Sequence, residues 1–326
     1  MNEAWRQLEL PVVPEFGEDV ALRPAPCTAR ELYCSLFVDL EEHIHYLVPA
    51  FAFATHALAQ VALPMHAGEN PRVYLEALIA AARESLAGAT AGEHAIPSRE
   101  RPAAESGIVL KSTSRARARA RDERESLALR AARELAPLGL ADGAWLRGWV
   151  QSNMVETEAG MSMLKQLMLR FGDPGSSESY SQRYAALLRS LGIVPEAISR
   201  AEWDDAQQPS AAAYEHALLG LCLGLFPSTL GYETLGFNLW MVALGPCPLM
   251  HQVTPELRER GACLRYLERH ERANMQALAW RAIEHGLVET SDPDAALRRI
   301  ARGFLAAQRS YEQWERALFG APALVG

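Results

Sequence analysis

Lysine is nearly missing from this chain. Lys111 and Lys165 are the only two in 326 residues, so arginine carries almost all the positive charge. With 32 basic against 40 acidic residues the net charge is −8. That balance lacks the basic surface on which a nucleic-acid binder relies. Cysteine is scarce and unpatterned. The five (Cys27, Cys34, Cys222, Cys247, Cys263) form no Cys-x-x-Cys pair and fit neither a zinc motif nor a disulfide framework. Free thiols in a reducing compartment are the expectation. No apolar run approaches the ~20 residues that span a bilayer. The N-terminus has no basic region followed by an apolar stretch. The chain is therefore expected in the cytoplasm, away from membranes. A phosphate-cradling glycine loop, a Gly-x-Ser-x-Gly elbow and a Cys/His nucleophile pair are all missing.

Strand signals are also nearly absent, and no repeat of fixed period is evident. What remains is long Ala/Leu/Arg/Glu-rich stretches at helical spacing, punctuated by Gly and Pro. The expected fold class is all-α. Three regions are expected: an N-terminal helical region over 1–87, a polar Arg/Ala/Ser-rich linker over 88–122, and a helical bundle over 123–318. Thr28 reads as an N-cap, Pro49 as a kink and Pro71 as a helix start. The bundle predicts helices near 123–136, 139–171, 177–191, 211–226, 228–244, 255–286 and 292–318. Thr254 followed by Pro255 reads as the start of the helix over 255–286.

Within the linker, the alternating arginines of 115–121 put charge on every side of a helix, which leaves no core face. A solvated linker is the plain reading. Asp122, Glu123 and Glu125 dilute a phosphate- or nucleic-acid-binding alternative.

Two places have a spacing suited to metal chemistry. Positions 270, 274 and 277 share one helix face, since i, i+4 and i+7 stack. They hold His270, Asn274 and Ala277. Glu41, Glu42 and His45 lie on another expected helix, where Glu42 and His45 have the i, i+3 spacing used in ferritin-like di-iron bundles. A solvated charged face with one packed His is the plain alternative there. Tyr232, Tyr266, Trp240 and Trp280 read as core. His216, His251 and His285 have no evident partner set.

Four segments in order extend this picture: Leu135-Ala-Pro-Leu-Gly-Leu-Ala-Asp142-Gly-Ala-Trp145-Leu, Glu156-Thr-Glu158-Ala-Gly160, Glu233-Thr-Leu-Gly236-Phe-Asn238-Leu and Tyr266-Leu-Glu-Arg-His270. Over about 130–285 this set resembles the heme-oxygenase-like di-iron oxidases. The resemblance implies a heme-oxygenase-like helical bundle, non-heme iron as cofactor, and a small metabolite and O2 as substrates. It places Glu158, Glu233 and His270 in the metal site. Glu134 is the nearest candidate for a further Glu, ahead of Asp142, and Glu42 with His45 are a compensating source. The family pattern also calls for a His near Leu167 or Met168, an acid at 274 and a His at 277. This chain has Met168, Asn274 and Ala277, and no His between Glu158 and His216.

Three functions are open. One is an oxygen-dependent oxidase of a small metabolite. Another is a metal-free relative that binds a small molecule or serves an active partner. The third is a plain helical interaction protein whose resemblance is accidental. A homodimer is compatible with each.

Overall fold

The computed structural model describes residues 28–38, 46–64, 70–92, 126–172, 178–199, 208–245, 250–268 and 272–319. The described residues are all-helical, with no strand among them. No described helix is long and apolar enough to cross a membrane. The expected linker lies mostly outside the described residues, as do Glu41, Glu42, His45 and His270.

Three helices come from the N-terminal third: α1 (Ala29–Val38), α2 (Leu47–Ala59) and α3 (Pro71–Gly92). Thr28 caps α1 as expected, its hydroxyl accepting from the Glu31 amide while the Glu31 carboxylate accepts from the Thr28 amide. Pro49 falls in the first turn of α2, where its missing N–H costs nothing. Buried Tyr33 ties α1 to the later chain by donating to the Pro137 carbonyl at 2.7 Å.

The expected single helix over 139–171 is broken into α5 (Ala136–Leu140), a 3-10 segment (Ala144–Val150), α6 (Ser152–Val155) and α7 (Glu158–Phe171), preceded by α4 (Leu127–Glu134). Two local features cause the breaks. Gly143 sits at φ 89°, a left-handed conformation that glycine tolerates and that an α-helix cannot contain. Thr157 is extended and caps α7, its hydroxyl accepting from the Gly160 amide at 2.9 Å. A Cβ at Gly160 would lie 1.8 Å from the Met154 carbonyl oxygen, so the glycine permits this tight entry.

Next come α8 (Tyr180–Ser190), α9 (Pro195–Ser199), α10 (Ala211–Leu225) and α11 (Pro227–Ala243). The expected helix over 255–286 is also corrected. Residues Met250–Glu259 form α12, a short 3-10 turn spans Leu264–Tyr266, and α13 covers Arg272–Val288. Thr254 is no cap. It lies inside α12, and its hydroxyl donates to the Met250 carbonyl at 2.6 Å. Pro255 removes one helix hydrogen bond there, and Gly261 at φ 72° ends the unit. The last helix, α14 (Pro293–Phe319), starts where the Asp292 side chain accepts from the Ala295 amide at 2.8 Å.

The α11–α14 pair makes the most extensive helix contact, followed by α7 with α13. The first is a glycine-mediated approach. A Cβ on Gly236 would sit 1.8 Å from the Ile300 carbonyl oxygen, and one on Gly303 would sit 1.9 Å from that of Glu233. Each helix thus offers a glycine to the other's backbone. Trp145, Trp240, Trp314, Phe237 and Phe304 are fully buried around this seam.

Candidate functional site

Three of the four motif segments meet in space, chiefly through structural bonds, while Glu156–Gly160 makes its bonds within its own helix start. Asp142, in the turn after α5, pairs with Arg170 near the end of α7, and both side chains are buried. Asp142 also accepts from the Tyr266 hydroxyl at 2.8 Å. The Arg170 guanidinium lies over the Trp145 ring, 4.6 Å from its centroid. Tyr266 packs edge-on against Tyr184 at 4.6 Å. Trp145 Nε1 donates to the Asn238 side-chain Oδ1 at 3.1 Å, and Asn238 Nδ2 donates to Gln166 Oε1 at 3.0 Å. A buried amide and indole without partners would each cost about 1–3 kcal/mol, so this network fixes the relative placement of α7, α11 and the 3-10 segment.

Glu233 is buried, and its carboxylate is held at both oxygens by Arg299. The Nε–Oε1 distance is 2.8 Å and the Nη2–Oε2 distance 2.7 Å. Side-chain hydrogen bonding to Glu233 pushes the Arg299 pKa up. The guanidinium also bonds the Thr229 carbonyl and lies 5.1 Å from the Tyr232 ring centroid. Glu134 is buried at the end of α4. Both of its oxygens accept from the Ser210 amide at 3.0 Å, and one accepts from the Ser210 hydroxyl at 2.7 Å. Ser210 is in turn the N-cap of α10. Glu158 is exposed in the first turn of α7, where its charge suits the helix dipole.

These three carboxylates belong to three neighbourhoods. Glu134 serves the α4–α10 junction, Glu233 serves the α11–α14 seam, and Glu158 faces solvent. Iron of the expected class needs carboxylate oxygens and imidazoles free to coordinate. The described residues do not fit that requirement, since Arg299 and Ser210 already engage two of the three acids. No group of three His, Cys, Asp or Glu among the described residues is placed to hold a metal ion.

His216 sits at the middle of α10, buried, with Nδ1 2.7 Å from the Ser310 hydroxyl. Ser310 itself donates to the Ala307 carbonyl at 2.9 Å. The imidazole therefore carries its proton on Nδ1 and donates it to Ser310. Its Nε2 has no hydrogen-bond partner and lies among Phe237, Trp240 and Tyr311. Burial drives its pKa down to about 3.

A cleft of about 710 Å³ opens between α7 and α13. From α7 it takes Lys165, Met168, Leu169 and Phe171, with Gly172 just past the helix end. From α13 it takes Asn274, Ala277, Leu278 and Arg281. The α13 set is an i, i+3, i+4, i+7 stripe, and Lys165, Met168 and Leu169 are an i, i+3, i+4 one, each on one helix face. Asn274 and Ala277, where the resemblance calls for an acid and a His, thus line this cleft together with Met168, one of the two positions near which it calls for a further His; Leu167, the other, is buried. Sequence reasoning did not single out Lys165, Leu278 or Arg281 as cleft residues. The signal for them was the shared stripe, a helical face mixing apolar and cationic groups at solvent.

The chain matches no protein-family model, no curated protein and no solved structure.

Proposed function

We propose that this chain is a metal-free relative of the heme-oxygenase-like di-iron oxidases, and that it binds a small molecule between α7 and α13. One observation carries the reading: Met168, Asn274 and Ala277 line one cleft. In the resemblance 274 and 277 would be Asp and His, and a further His would stand near 167 or 168. Here they supply a thioether, a neutral amide and a methyl group, which are poor partners for iron. What the lining offers instead is apolar surface with a few polar groups, and the volume falls in the range of small-ligand sites. The engagement of Glu233 by Arg299 and of Glu134 by Ser210 supports the same view. The bundle keeps the motif residues Asp142, Trp145, Gly236 and Asn238 because they hold helices together.

The test is anaerobic titration with ferrous iron, followed by desalting and exposure to oxygen. The expected result is less than one equivalent of retained iron and no oxygen uptake. Two tightly held equivalents with rapid oxygen consumption would overturn the proposal and return the chain to the oxidase class. A second arm uses the triple variant Met168→His, Asn274→Asp, Ala277→His. Gain of ferrous binding supports descent of the cleft from a metal site, and no gain removes that descent.

A further inference from the structure

We infer that the α7–α13 cleft takes an aromatic organic anion, with its acid group between Lys165 and Arg281 and its ring system over Met168 and Leu278. The inference rests on the small-molecule reading above and names its ligand class.

The helix directions come first. Tyr266, just before α13, bonds Asp142, and Asp142 pairs with Arg170 in the last turn of α7. The start of α13 is therefore fastened beside the end of α7, and the two helices run antiparallel. Run antiparallel, they place Lys165 and Arg281 toward one end of the cleft and Gly172 and Asn274 toward the other. Both cations fall at the same end of the cleft.

Charge comes second. Neither Lys165 nor Arg281 forms an ion pair with a described residue, and no carboxylate is among the described lining residues. On a chain of net charge −8, two cations toward the same end of a cleft with no acid among its described lining residues mark a place for an anion. Arginine adds a planar fork that suits a carboxylate or sulfonate.

Shape comes third. Beyond the cations the lining is apolar, and Met168 and Phe171 stand 57% and 60% exposed. Thioether and phenyl groups favour contact with a flat ring. Ala277 and Gly172 are small, which leaves width between the stripes for one. Asn274 supplies a hydrogen-bonding amide at the far end.

The experiment compares two fluorescent probes with similar rings. One is 8-anilinonaphthalene-1-sulfonate, an anion, and the other is N-phenyl-1-naphthylamine, which is neutral. Each is titrated into the full chain and into two variants. The double variant Lys165→Met, Arg281→Met removes the charges. Ala277→Trp fills the cleft from an exposed position. Unchanged circular dichroism and Tm confirm that the variants fold. The expected result is one sulfonate per chain. Its Kd rises at least tenfold in the double variant, while the neutral probe changes less than twofold there. Ala277→Trp weakens both probes at least tenfold. If the double variant leaves the sulfonate unaffected while Ala277→Trp still blocks it, the anion class is wrong and the cleft stands. If neither probe responds to Ala277→Trp, the cleft reading itself falls.

Discussion

Glu233 and Arg299 close a two-point fork across the α11–α14 seam, with the carboxylate buried and the guanidinium capping it from the partly exposed side. The pair sits one turn from Gly236 and Gly303, where the two backbones touch. A carboxylate placed there serves the docking of two helices. Arg299→Met therefore leaves a buried charge uncompensated and lowers stability by about 1–3 kcal/mol, read as a shift of the urea midpoint. Glu233→Gln should lower stability while leaving ferrous uptake where it was. A variant that loses iron binding at unchanged stability would make Glu233 a ligand.

The glycine contact gives a sharper expectation. Gly236→Ala and Gly303→Ala each push a methyl group into a carbonyl oxygen, at 1.8 Å and 1.9 Å before relaxation. Separating the helices to relieve this loses packing along the whole seam, and a cost of about 3 kcal/mol is expected for each. Gly231 is the control. A Cβ there meets the Trp149 ring at an ordinary 3.4 Å. Gly231→Ala should be neutral or stabilising by up to about 1 kcal/mol, since glycine weakens a helix interior. Thermal unfolding of the three variants separates the cases.

How much of this could be read from the residues alone depends on range. The all-helical class was legible because apolar spacing is a local signal, and the helices expected from 228 and 292 begin one residue away, at Pro227 and Pro293. The breaks inside 139–171 were written in Gly143 and in the Thr157 cap, but the apolar spacing ran through both and masked them. Pro255 misled because proline is as compatible with a short helix carrying one missing bond as with a helix start. The site was harder. Glu233 was singled out only through the family resemblance of its segment, yet its partner lies 66 residues downstream, and no local pattern encodes that pairing. Asn274 and Ala277 were visible through their spacing. That they line one cleft with Leu169 and Gly172 is a matter of how α13 packs on α7, which only the fold reveals.

The Asp142–Arg170–Tyr266 fastening makes its own prediction. Asp142→Asn deprives buried Arg170 of its counter-charge, and a loss of about 3 kcal/mol is expected. Tyr266→Phe removes one hydrogen bond to the same carboxylate and should cost about 1 kcal/mol. Since both changes act on one carboxylate, the double variant should lose less than the sum. A double-mutant cycle in urea measures this. Strict additivity would mean that Tyr266 holds its place through Tyr180 and Tyr184 alone.

His216 sets an acid limit on the fold. Its ordinary pKa is 6.5, and burial holds it down to about 3. As the pH falls through 6.5 the unfolded chain takes up a proton that the folded chain refuses until about pH 3. Stability is therefore flat with respect to this group above pH 6.5 and is lost across the window from 6.5 down to 3. At pH 5 the loss from this one group is about 2 kcal/mol. His216→Phe keeps an aromatic ring beside Trp240 and Tyr311 and removes the titration, while Ser310 retains its bond to Ala307. Urea unfolding at pH 7 and pH 5 should thus show a pH penalty smaller by about 2 kcal/mol in the variant than in the parent chain. Equal penalties in the two proteins would show that the imidazole finds water or a proton acceptor on its Nε2 side and is not held neutral by burial.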